Sequence, residues 1–197
     1  MLYGRGNLDL MNELLSVFKD QARDPMRWQK VARECAVAAN YLGDWYDSDT
    51  DRFPGDWTME SHGSAIPMMV LYAAAVENLL KGIRVSRGDD PIESDVLAKS
   101  FGHHGLVRHA AAAGLRISDE QRATLEHLTD LIESGKYPVA KEHTRNPTAL
   151  HLRFPKDMQD AWSLLEYLEG QLLESHCPLL PKFDFRERYR PVGYPKP

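Results

Sequence analysis

Apolar positions along this chain recur at the three-and-four spacing of amphipathic helices almost from end to end. Leu8, Met11, Leu14, Leu15 and Phe18 form a first stripe. After a break at Asp24-Pro25, the stripe of a second helix runs through Trp28, Val31, Ala32, Cys35, Ala38, Ala39, Leu42 and Trp45. A polar, Asp-rich stretch over 47–63, with Pro54 and Gly55, reads as a loop. The helix that follows, about 65–85, is apolar around most of its circumference, and such a helix belongs at the centre of a bundle.

Beyond it, 87–102 reads as a loop with a single turn near Val96 and Leu97, and 104–113 as a short alanine-rich helix closed by Gly114. Ser118 followed by Gln121 has the form of a capping box and opens a helix carrying Leu125, Leu128, Leu131 and Ile132. The stretch 135–155 reads as a loop punctuated by Pro138 and Pro147. The last helix, 156–174, turns Ala161, Trp162, Leu165, Leu168 and Leu172 inward. The remainder, 177–197, holds five prolines and cannot be a helix. No strand alternation longer than a short piece is present, so the expected fold is all-α: a helical bundle over 1–176 and a proline-rich basic tail over 177–197. The tail is expected to be a solvated terminus, a local basic patch, or an arm swapped onto a partner.

Composition narrows the function without naming it. Acidic residues number 29 against 24 basic ones, a net charge of -5, so contact with nucleic acid would need a local patch rather than a basic whole-chain field. The apolar run 65–76 falls short of the roughly 20 residues a bilayer helix needs, and Glu77 and Lys81 follow it, so no membrane association is expected. The N-terminal stretch lacks a basic leader with an apolar run behind it, and the two cysteines, Cys35 and Cys177, have no paired spacing. The expected compartment is the cytoplasm.

Four constellations bear on chemistry. Glu77 lies on the apolar stripe of the central helix with Val70, Ala73 and Leu80, where an unpaired carboxylate would be costly. Lys81 follows four residues on, in the favourable order for an ion pair, which either fixes packing or presents a carboxylate to a cleft. His103, His104 and His109 crowd one segment without the three-or-four spacing that two metal ligands on one helix face require, so no metal is expected and one of His103 or His104 is read as a contact at a helix start. The acidic run 47–51 resembles the opening of a calcium loop, but Arg52 stands where glycine is needed and Thr58 where glutamate is needed. Finally, Asn146-Pro147 has the form of a helix N-cap and first-turn pair, with Arg145 just outside it and His151 a turn inside. Backbone N–H groups, an arginine and a histidine together suit a phosphate, although the spacing by itself also fits a structural loop.

The order of these features resembles the HEPN domain, a helical family associated with nucleotide and RNA chemistry, over about 26–174. The resemblance rests on Trp28 with Ala32, Ala36 and Ala39; on AAAVENLLKGI (73–83); on GHHGLVRHAAAAGL (102–115); and on SGKYPV (134–139), a basic–Tyr–Pro turn with Lys136 in the basic position beside Tyr137. It implies a bundle of four or five helices, commonly a symmetric homodimer, and no cofactor. Many active members cut RNA without metal, using an arginine, a polar residue after it and a histidine four to six positions on. Arg145, Asn146 and His151 match that pattern. The implied chemistry is attack of a ribose 2′-hydroxyl on its own phosphodiester, with His151 as acid or base and Arg145 holding the phosphorane charge. Glu77, Lys81, His104, Lys136 and Tyr137 are the residues implied for binding. Pro147 interrupts the motif, and Pro155 limits any helix after His151 to about two turns. The Tyr-Pro subgroup also contains members without the motif, so RNA or nucleotide binding without cleavage stands beside cleavage. A protein-interaction role with a nucleotidyltransferase-type antitoxin is the further alternative.

Overall fold

The computed structural model describes residues 5–52, 59–135, 153, 156–176 and 185, with side chains over 10–43, 65–133, 153, 156–176 and 185. These residues form helices α1 (Arg5–Arg23), α2 (Pro25–Arg52), α3 (Met59–Ser86), α4 (Leu106–Ala112), α5 (Asp119–Gly135) and α6 (Lys156–His176). A two-residue-per-strand antiparallel hairpin, β1 (Ile92–Glu93) and β2 (Val96–Leu97), lies between α3 and α4. The all-α expectation is met.

Local chemistry sets most of the boundaries. Asp24 Oδ1 accepts from the Met26 N–H at 2.9 Å and Pro25 takes the first helical position, which starts α2 where an N–H is dispensable. Ser118 and Gln121 cap α5 reciprocally, at 2.9 and 3.2 Å. Two helices close through glycines in the left-handed region, Gly88 (φ 99°) after α3 and Gly114 (φ 63°) after α4. In each case the next residue's N–H returns to a carbonyl of the last turn, Asp89 to Arg84 and Leu115 to Ala110. The hairpin turn places Ser94 and Asp95 at positive φ, a strained choice, and Lys19 meets Asp95 at 2.6 Å.

Two boundaries differ from expectation. The region 47–63 is not wholly loop, because α2 continues to Arg52 and α3 begins at Met59. No helix breaker precedes Pro54, and Asp, Ser and Thr each cost only a fraction of a kcal/mol in a helix interior. The loop 87–102 contains the hairpin rather than a lone turn.

α3 is the hub, packed on α2, α4, α5 and α6. Met68, Met69, Ala73, Val76, Leu79, Leu80 and Ile83 on α3 are fully buried, and Ala32, Ala36 and Ala39 give α2 a small-residue face against them. α5 contributes Leu125, Leu128 and Leu131, and α6 contributes Ala161, Leu165, Leu168 and Leu172. The segment Ala65–Ser86 is long and apolar enough to cross a bilayer by length and composition, and 67% of that window is buried inside the bundle.

A buried polar chain crosses this core. The Trp162 indole donates to Tyr72 Oη at 2.9 Å, Tyr72 donates to Asn40 Oδ1 at 2.5 Å, and Asn40 Nδ2 donates to the Phe185 carbonyl at 3.0 Å. Phe185 itself is fully buried, so at this position the proline-rich segment is part of the core and not a solvated terminus.

α1 departs most from the pattern. Its stripe exists, but Leu10, Met11, Leu14, Val17 and Phe18 are exposed, Met11 to 66%. Among the described side chains of α1, those at its C-terminal end are docked. Ala22 is buried with its carbonyl accepting from the Trp28 indole at 2.8 Å, and Arg23 makes a two-pronged contact with Asp90 at 2.8 and 3.1 Å.

Candidate functional site

On α3, Glu77, Lys81 and Arg84 follow one another by four and three residues, so one helix face carries three charges through the middle of an apolar element. All three are buried. The segment between the hairpin and α4 closes over this face and brings His103, His104 and Phe101 onto it, while α4 supplies His109.

Glu77 is the meeting point. Lys81 Nζ donates to its Oε1 at 2.5 Å, and His104 Nδ1 lies 2.9 Å from its Oε2. Burial pushes the Glu77 carboxyl up, but the Lys81 charge and the hydrogen bonds from Lys81 and His104 outweigh it and hold the group below its ordinary value. The carboxylate is ionised, and its contact fixes His104 with a proton on Nδ1. Lys81 also sits 5.7 Å from the centroid of the Trp28 ring, so its charge is shared between a carboxylate and an aromatic face.

Arg84 forms the second half of the site. Its guanidinium carbon lies 3.9 Å from the centroid of Phe101, Nε donates to Asp89 at 2.7 Å, and Nη1 donates to the Ser100 carbonyl at 2.7 Å. Nη1 also lies 3.0 Å from His109 Nδ1. Arginine has no acceptor, so His109 Nδ1 accepts, and the proton is on Nε2, which donates to the His103 carbonyl at 2.9 Å. His109 is therefore neutral. Burial is the main cause of its depressed pKa, about 4, with the bond to the His103 carbonyl opposing it.

His103 stacks on His109 at 4.2 Å between centroids, and its Nδ1 accepts the Gly105 N–H at 3.2 Å. Burial, then the charges of Arg108, Arg84 and Lys81, keep His103 below its ordinary pKa. Both rings are thus held as acceptors on one edge, each with its remaining proton on Nε2. The sum is a charge-paired wall, Lys81 with Glu77 and Arg84 with Asp89, lined by the neutral rings of His103 and His109, with His104 partly open to solvent at 36% side-chain exposure.

The expectation that Glu77 is paired, with Lys81 four residues on, is met, and His104 joins that pair. Lys136, Tyr137, Arg145, Asn146 and His151 lie outside the described residues. Arg84 was missed from the sequence although the same spacing that linked Glu77 to Lys81, continued by three, reaches it. The tautomer-fixing roles of His103 and His109 had no sequence signal beyond their crowding.

A second polar node anchors α6. Buried Asp157 accepts the backbone N–H of Arg153 at 2.7 Å and its guanidinium at 2.9 Å. His127 Nε2 is buried 3.4 Å from Asp157 Oδ2 and makes no hydrogen bond among the described residues. Further along α6, buried Glu169 accepts from Gln29 at 3.0 Å and Arg33 at 2.7 Å. Among the described residues no group of three or more His, Cys, Asp or Glu side chains is placed to hold a metal ion. The chain matches no protein-family model, no curated protein and no solved structure.

Proposed function

We propose that this chain is a HEPN-like protein that acts on RNA, cutting it without metal through Arg145, Asn146 and His151. The observation that supports this reading is the contact of Glu77 with both Lys81 and His104. The central-helix motif and the His-led motif were matched separately along the sequence, and they meet at one carboxylate, as parts of a single functional unit would. In this reading Glu77, Lys81 and His104 are positioning residues, because their charges are largely used on one another. Arg145 stabilises the phosphorane and His151 moves the 2′-hydroxyl proton. A homodimer would set two such motifs across one cleft, and a nucleotidyltransferase-type antitoxin is the partner class that fits a toxin or defence role.

The test is cleavage of mixed single-stranded and transfer RNA in EDTA, comparing wild type with His151→Ala and Arg145→Ala. Cleavage that survives chelation and is lost in both variants supports the reading. Cleavage by neither wild type nor variant, with all proteins folded, overturns it.

A second reading, RNA or nucleotide binding without cleavage, is favoured by the saturation of Glu77 and Lys81 in their ion pair. Its signature is RNA binding by the wild type without turnover, weakened by His104→Ala.

A further inference from the structure

We infer that α1 is a self-association element: its open apolar face and the groove beside it receive the α1 of a second copy of this chain, the two helices lying parallel about a two-fold axis. Leu10, Leu14 and Val17 recur at four and three residues, a coiled-coil seam, and all three are exposed, with Met11 and Phe18 widening the face on one side. Beside Phe18 a groove of about 410 Å³ opens between α1, α2 and the hairpin, with Trp28, Val31 and Leu97 among its walls. Val31 and Leu97 are exposed apolar residues too, and Phe18 belongs to both the stripe and the groove wall, so the two form one continuous surface.

Area and charge select the occupant. Seven large apolar residues, Leu10, Met11, Leu14, Val17, Phe18, Val31 and Leu97, are each more than a third exposed on this surface, a patch on the order of several hundred Å², the scale one partner contributes to a standard interface. The groove's rim on α2 carries exposed Arg27, Lys30 and Glu34, with Lys30 3.8 Å from Glu34, so the rim keeps one positive charge in excess, at Arg27. The exposed flank of the α1 stripe opposite α2 is acidic, with Glu13 and Asp20 seven residues apart. The chain therefore carries both halves of a match: an apolar helix with an acidic flank, and an apolar groove whose α2 rim is net positive. A parallel two-fold pair lays each acidic flank toward the other copy's net-positive rim. An antiparallel pair would set the four carboxylates of the two flanks against one another.

The experiment is sedimentation equilibrium of the full-length chain over a wide concentration range, with circular dichroism to check folding. The wild type is expected to be a dimer, and Met11→Glu with Leu14→Glu, both at exposed positions, to weaken association about a hundredfold or more while the variant keeps the helical circular dichroism of the wild type and loses the concentration dependence of its thermal midpoint. Arg27→Glu with Lys30→Glu should weaken it about tenfold, and adding Glu13→Lys with Asp20→Lys to that chain should restore it. A wild type that stays monomeric overturns the inference, and so does a monomer that binds a different protein through α1. A dimer indifferent to the α1 substitutions also overturns it, by putting the contact elsewhere. Failure of the charge reversal to rescue overturns the parallel arrangement. None of these outcomes depends on RNA chemistry.

Discussion

His104 Nδ1 stands 2.9 Å from Glu77 Oε2, a contact between the segment that leads into α4 and the middle of the bundle's central helix. It makes Glu77 the shared acceptor of a buried lysine and a half-buried histidine, and the Glu77 and Lys81 charges are tolerated at their depth because each has the other.

Glu77→Gln therefore strands the Lys81 ammonium. The expected cost is about 3 kcal/mol of folding stability, the scale for removing one partner of a buried ion pair. His104→Ala, at a more exposed position, is expected to cost about 1 kcal/mol. Urea denaturation of the two variants beside wild type measures both, and equal costs would contradict the central place given to the carboxylate.

His109 predicts a pH dependence. Its pKa is lowered by burial from 6.5 to about 4, so the native ring is neutral where an unfolded ring is already charged. Between those values the unfolded state binds the extra proton. The stability that the neutral ring contributes is complete above pH 6.5 and is lost as pH falls toward about 4, on the order of 3 kcal/mol in all. His103, shifted in the same direction, adds to the same slope. The urea midpoint measured through this window should fall with falling pH, and His109→Gln should flatten the profile.

The chain Trp162–Tyr72–Asn40–Phe185 ties the proline-rich segment to the core. Phe185→Ala empties a fully buried ring site and should cost about 3–5 kcal/mol, far more than a residue in a solvated terminus. Tyr72→Phe keeps the ring but leaves the Asn40 carbonyl and the Trp162 indole short of a partner, at about 1–3 kcal/mol. Thermal denaturation of the two variants distinguishes them; a Phe185→Ala protein as stable as wild type would refute the anchoring.

Gly82 lies where α3 packs against the start of α2. A Cβ there would stand 3.1 Å from Trp28 Cβ, 3.2 Å from the Pro25 carbonyl and 3.4 Å from Leu172. Two of these neighbours are stiff. Gly82→Ala should therefore destabilise by about 1–2 kcal/mol despite the better helix propensity of alanine, with the sign read from a chemical denaturation midpoint.

Much of this molecule was written locally. The Asp24-Pro25 start of α2, the Ser118–Gln121 capping box and the glycine end of α4 are short-range instructions, and each was readable in order along the chain. So was the pairing of Glu77 with Lys81, because four residues of helix bring them together whatever surrounds them. The sequence also identified α3 as the central element, since only a helix covered on every side can be apolar all round.

The tertiary structure decided what covers what. Periodicity marks α1 as amphipathic, but a stripe does not say whether another element lies on it, and here the apolar face of Leu10, Met11 and Leu14 is left open. The bonds from Glu77 to His104 and from Arg84 to His109 join positions 27 and 25 residues apart, and the placement of Phe185 against Asn40 spans 145. Contacts at such separations follow from how the intervening chain closes and packs, not from any local period, so no spacing rule could have announced them.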